Sequence, residues 1–132
     1  MNTFRLLMPH EVIHEWDRLS HLLSFAVEQS RGECCVSDIR QLVLSGRMFV
    51  FADDQFAVTC EFTTYPQKTI MVVGFGAGEV CDRAHIGNTL RDFAKAGGAS
   101  SIQTYCKNPA MIRYYRRWFH LEPVYTVLET EL

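Results

Sequence analysis

Residues 69–120 constrain this chain's fold more than any other stretch, because they read as strand, glycine loop, helix, strand, helix. Thr69 to Phe75 is an apolar run of β type, and Gly76 and Gly78 then loosen the backbone. Ile86, Leu90, Phe93 and Ala94 recur at the spacing of one helix face. Gly97-Gly98 stops that helix. Ser101 to Cys106 forms a second short strand, with Ile102 and Thr104 alternating against Gln103 and Tyr105. Asn108 can cap the next helix, and Pro109 fits its first turn, where no N–H is needed. The result is a βαβ unit with a helix appended.

The preceding residues add strands and helices in a definite order. Thr3 to Leu7 is a first strand, broken by Pro9, which can open a helix. Leu19, Leu22, Leu23, Ala26 and Val27 share one helical face, ended by Ser30-Arg31-Gly32. Ser37 can cap a further helix with Ile39, Leu42 and Val43 inward, closed by Gly46. Met48 to Ala52 is a strand, and Asp53-Asp54-Gln55 turns it into Phe56–Thr64. There Phe56, Val58, Cys60 and Phe62 face one way, and Ala57, Thr59, Glu61 and Thr63 the other. Glu122-Pro123 breaks the last helix, and Val124 to Leu132 reads as a closing strand. The predicted order is β-α-α-β-β-β-α-β-α-β: an α/β chain, α+β in layer terms, with a mixed, mostly antiparallel sheet flanked by helices.

At 132 residues this is one domain with room for a real core. A net charge of −2 argues against a general nucleic-acid binder. No apolar run reaches membrane-spanning length, and no secretory leader is expected at the start. Five scattered cysteines, Cys34, Cys35, Cys60, Cys81 and Cys106, lack paired C-x-x-C spacing and read as reduced thiols of a cytoplasmic protein.

The element order resembles that of the GNAT N-acetyltransferases, over roughly the last 85 positions. Asn108, Ala110 and Tyr115 fall close to that family's N-x-x-A-x-x-x-Y motif, with the alanine one place early and Phe119-His120 in place of Gly-Phe. Ile86-Gly87-Asn88-Thr89-Leu90 resembles the end of the family's acyl-CoA motif. Its start differs: Asp82 stands where Arg or Gln is usual, and His85 where the first glycine is usual. The N-terminal half, including Pro9-His10-Glu11, Leu44-Ser45-Gly46-Arg47 and Thr64-Tyr65-Pro66, looks like small GNAT-like proteins of phages and prophages.

The resemblance implies acetyl-CoA as substrate and an amine, on a small molecule or a protein, as acceptor. Phe75, Gly76, Arg83, Ile86, Gly87, Asn88 and Asn108 are then the candidate cofactor-binding residues. Orphan amides and the positive end of a helix attract phosphate, and a missing side chain lets it approach. Asp82 brings a negative charge to that place, and Arg83 offsets it; with no phosphate, Asp82 reads as a helix cap. The resemblance makes Tyr115 the acid that protonates the departing thiolate, and Glu61 the base for the amine. Met111, Tyr115 and Trp118 also have the spacing of a core face, and Glu61 that of an exposed strand carboxylate.

Three further readings compete with that one. The Asp82 and His85 departures fit a GNAT-like protein without chemistry, acting in a virion or on a host protein. His10-Glu11-Val12-Ile13-His14 is a literal H-E-x-x-H, the spacing of a zinc hydrolase, although fewer than ten residues precede Glu11's helix and no metal is expected. Lys107, Arg113, Arg116 and Arg117 could meet CoA phosphates or nucleic acid, or form a solvated basic face; the acidic balance favours the last. A homodimer is a further option for partnership.

Overall fold

Asp53 sets the first hairpin by local chemistry. Its carboxylate accepts from the amides of Gln55 at 2.8 Å and Phe56 at 2.7 Å, closing the turn between strands Phe49–Ala52 and Phe56–Thr64. In the computed structural model, which describes residues 3–132, these are strands β2 and β3. Around them lie β1 (Arg5–Leu7), α1 (Pro9–His14), α2 (Trp16–Val27), α3 (Val36–Leu44), β4 (Thr69–Gly78), α4 (Arg83–Ala96), β5 (Ser101–Thr104) and α5 (Pro109–Phe119).

The five strands form one sheet in the order β1-β2-β3-β4-β5. Every pairing is antiparallel except β4 with β5, which run parallel. A parallel pair needs a crossover, and α4 supplies it. The mixed, mostly antiparallel sheet expected from the sequence is therefore present.

Strand alternation sends two apolar sets to opposite faces. On one face, Leu19, Leu23 and Val27 of α2 and Ile39 and Val43 of α3 pack on Val50, Ala52 and Ala57. On the other, Ile86, Leu90 and Ala94 of α4 pack on Phe51, Val58, Cys60 and Met71. Phe93 gathers Phe49, Phe51 and Phe62 around it at ring separations of 5.1, 5.0 and 5.6 Å. Truncating one such buried leucine to alanine costs about 2–5 kcal/mol.

The elements differ from expectation in several places: α3 opens at Val36 with Cys35, not Ser37, at its N-cap, and β5 ends at Thr104 rather than Cys106. The helix opening at Pro9 breaks at Glu15, whose backbone (φ −99°, ψ 17°) ends α1 and starts α2. Glu15 there holds Arg18 in an ion pair at 3.0 Å, and Arg18 donates to the Asp53 carbonyl at 3.0 Å, tying the break to the hairpin. The closing strand expected at Val124–Leu132 is not formed, and the segment carries no strand pairing. His120 ends α5 in a left-handed turn (φ 57°), and farther along Glu129 pairs with Arg31, beyond the end of α2. A strand pattern becomes a strand only where an edge receives it, and none of the described strands pairs with this segment.

Candidate functional site

The site begins at an irregularity in β4. β3 and β4 keep register from Thr64 opposite Thr69 to Cys60 opposite Val73, then resume at Val58 opposite Gly76. Two steps on β3 face three on β4, so the extra residue is a bulge at Gly74–Phe75. Thr59 holds it: this residue is 1% exposed, and its hydroxyl accepts from the Phe75 amide at 2.9 Å. A Cβ on Gly74 would stand 3.1 Å from that hydroxyl, tighter than ordinary contact. Alternation along β3 does not single out Thr59 as the anchor; a polar residue among the apolar Ala57, Val58 and Cys60 is the sequence signal for it.

On the other edge of β4, β5 pairs from Ile70–Ser101 only as far as Val73–Thr104. There the Thr104 hydroxyl donates to the Val73 carbonyl at 2.8 Å. β4 continues to Gly78 while β5 stops, so the strands part where the bulge begins. The seam is lined on β4 by Phe75, half-buried against the α2 face, and by exposed Gly76.

Next comes the N-terminus of α4. Asp82 caps it, accepting from the His85 amide at 3.1 Å. That leaves the amides of Arg83 and Ala84, which have no carbonyl one turn behind them within the helix. The His85 ring turns toward the start of the chain, with Nε2 2.9 Å from the Phe4 carbonyl oxygen and the ring edge-on to Phe4. The Arg83 guanidinium lies 3.8 Å above the Trp118 ring, and Arg117 reaches the same ring at 5.1 Å. Two cations thus flank the positive end of the helix.

The remaining candidate residues take distinct places. Ile86 is buried in the core, and Asn88 is exposed on α4. Gly87 is buried where α4 meets α5: a Cβ there would touch the Phe119 ring at 3.5 Å. Arg91 strengthens that junction, donating to the Phe119 carbonyl at 3.3 Å. Asn108 caps α5, accepting from the Ala110 amide at 2.9 Å.

Tyr115 is half-buried beside Tyr114 and Phe119, at ring separations of 6.0 and 6.4 Å. Burial first, then the neighbouring Cys106, raises its phenol above the usual 10, so it stays protonated at neutral pH. The Met111–Trp118 stripe is not a core face: both of those residues are exposed, and α5 buries no residue fully. Glu61, opposite Val72, opens onto a cavity of about 240 Å³ shared with Gly46, Arg47, Phe49 and Phe62. No hydrogen bond joins Glu61 to Tyr115 among the described residues.

The rival signals resolve on geometry. The Glu11 carboxylate accepts from the Met8 amide and from Arg5, both at 3.0 Å. The Arg5 guanidinium, then the Met8 amide, holds Glu11 at about 2. It is a paired cap of a six-residue helix, which corrects the hydrolase reading of His10-Glu11-x-x-His14. Cys60 is buried and its thiol is pushed up to about 12, which leaves it unreactive.

Solved structures share the fold. An aminoglycoside acetyltransferase from an uncultured soil metagenomic sample, solved with sisomicin, superposes with a TM-score of 0.70 over 98% of this chain and 95% of its own, at 12% identity. The chain has the GNAT acetyltransferase fold. A Trypanosoma brucei acetyltransferase matches over 100% of both chains with a TM-score of 0.67 at 9% identity. A transcriptional regulator from Bacillus halodurans matches over 100% of both, with a TM-score of 0.67 at 17% identity. No protein-family model matches the sequence, and no curated relative does. No helix among the described residues is long and apolar enough to cross a membrane.

Proposed function

We propose that the chain is a GNAT acyltransferase that moves the acetyl group of acetyl-CoA onto an amine. The parting of β4 from β5 at Val73–Thr104, beside the start of α4, carries this reading. Anionic phosphates would meet the Arg83 and Ala84 amides, with the Arg83 and Arg117 guanidiniums alongside. Asp82 opposes them with one carboxylate and withdraws one amide, so binding is weaker than at an unobstructed helix end.

The thioester would lie in the seam beside Phe75 and Gly76. The amine nitrogen attacks the thioester carbonyl and forms the new C–N bond. Glu61 takes the amine proton, directly or through a water. The tetrahedral intermediate then expels the CoA sulfur as the C–S bond breaks, and Tyr115 gives that sulfur a proton. Much of the acceleration comes from holding amine and thioester together.

The test is release of CoA thiol from acetyl-CoA in the presence of a panel of amines. Wild type should release it, and Tyr115→Phe should lower kcat by about 10²–10⁴-fold, the span for a lost proton donor, with binding kept. Unchanged turnover in Tyr115→Phe overturns the role of Tyr115. Absence of acetyl-CoA binding overturns the enzyme and leaves a GNAT-fold interaction protein.

A further inference from the structure

β3 outruns its partner on the β2 side. β2 pairs from Ala52 opposite Ala57 to Phe49 opposite Cys60, while β3 continues to Thr64. The chain reaches β2 from α3 through a tight turn. The Gly46 amide donates to the Val43 carbonyl at 3.1 Å and the Arg47 amide to the Leu42 carbonyl at 2.9 Å, with Gly46 at φ 77°. That turn holds Arg47 beside the unpaired end of β3, and the notch between them is the cavity of about 240 Å³ onto which Glu61 opens.

The cavity has one charge of each sign, and neither is satisfied. Among the described residues, the Arg47 guanidinium and the Glu61 carboxylate have no hydrogen bond or ion pair, with each other or with any other group. Its remaining walls are apolar: the Phe49 and Phe62 rings, 6.0 Å apart. A second cavity of about 90 Å³ shares Gly46 and Phe49 with the first and is lined by Leu6, Leu7 and Met48. A Cβ on Gly46, in the shared wall, would meet nothing within 4 Å. The larger cavity is smaller than the roughly 300–1,000 Å³ of pockets that enclose drug-sized ligands.

We infer that the acceptor amine is that of a free apolar α-amino acid, with its carboxylate on Arg47, its amine at Glu61 and its side chain against Phe49 and Phe62. The inference rests on the reading of Glu61 as the base. A ligand with both charges complements a cavity that has both. A guanidinium suits the carboxylate, because its N–H groups can meet both oxygens in one plane. The bound ammonium gives one proton to Glu61 and becomes the nucleophile. The C–N bond then forms, the C–S bond breaks, the CoA sulfur takes the Tyr115 proton, and the second amine proton leaves to water. The product is an N-acetyl amino acid, which keeps its carboxylate but no longer carries the cation that faced Glu61. It is therefore held less tightly than the substrate.

The experiment is calorimetry of the full chain with three probes of one shape: L-phenylalanine, 2-phenylethylamine without the carboxylate, and 3-phenylpropionate without the amine. Phenylalanine should bind, and each analogue should bind about tenfold more weakly, the loss for one charge-assisted hydrogen bond. Arg47→Gln should weaken phenylalanine about tenfold and leave 2-phenylethylamine unchanged, and Arg47→Lys should recover part of the loss. No phenylalanine binding at millimolar concentration overturns the proposal. So does equal affinity for phenylalanine and 2-phenylethylamine, or an equal loss of both in Arg47→Gln. These titrations contain no acetyl-CoA, so their result stands apart from the acetyltransferase reading. Thiol release then ties the cavity to the reaction: Arg47→Gln should raise KM for phenylalanine about tenfold and keep kcat. Phenylalanine that binds but is not acetylated, while other amines are, overturns its place as acceptor. Thiol release with no amine at all overturns the acetyltransferase reading instead, and the acceptor role with it.

Discussion

Thr59→Val probes the bulge that opens the seam. Valine keeps the branched shape of threonine and replaces only the hydroxyl. The Phe75 amide, 2.9 Å from that oxygen, then has an apolar neighbour inside the sheet. Leaving a buried donor unpaired costs about 1–3 kcal/mol, and the 1% exposure of Thr59 keeps water from substituting. Taking about 2 kcal/mol and the melting behaviour of chains of this size, Tm should fall by about 6–10 °C. Thr59→Ser keeps the acceptor and loses one methyl, so it should cost about 1 kcal/mol and keep the bulge. Calorimetry measures the stability, and hydrogen exchange at the Phe75 amide reports the bond itself. That amide should exchange faster in the valine variant and not in the serine variant. Equal melting of the two variants, with Phe75 equally protected, would refute the anchoring role of Thr59.

Other positions give sharp outcomes. A Cβ on Gly97 would stand 2.4 Å from the Phe62 ring, itself wedged between Phe49 and Phe93; Gly97→Ala should lower stability by about 1–3 kcal/mol in urea unfolding. Gly78 has φ +106°, and a Cβ there would meet the Gln55 carbonyl oxygen at 1.9 Å; Gly78→Ala should cost at least about 2 kcal/mol and disturb the β3–β4 end, visible in amide spectra. Glu11 titrates at about 2 in the folded chain against an ordinary 4.5, so its contribution to stability is full above pH 4.5 and is lost as pH falls toward 2. Arg5→Gln should flatten that part of the stability profile, measured by denaturation at a series of acid pH values. With Tyr115 as the proposed proton donor, its raised phenol should shift the alkaline limb of kcat above the ordinary tyrosine range, and Tyr115→Phe should remove that limb.

Local chemistry made much of the fold legible. Alternation along Phe56–Thr64, the apolar face of α4, and the caps at Asp82 and Asn108 depend on residues a few positions apart, and each appears where the pattern puts it. The glycines of β4 likewise announced an irregular strand, which is the bulge. What escaped depends on partners far along the chain. The break at Glu15 answers to Arg18 and, through it, to the Asp53 carbonyl. Arg83 meets Trp118 across the α4–α5 junction, a contact with no sequence period. Val124–Leu132 has the pattern of a strand yet pairs with none of the described strands, because pairing is a property of neighbours and not of the segment alone.

The seam's purpose is tested most directly by titrating acetyl-CoA into the full chain by calorimetry, with Arg83→Glu beside it. Acetyl-CoA should bind with micromolar affinity, about −8 kcal/mol of binding free energy, and lose it when a carboxylate replaces the guanidinium above Trp118. No heat of binding at millimolar acetyl-CoA, or equal affinity in Arg83→Glu, would contradict it.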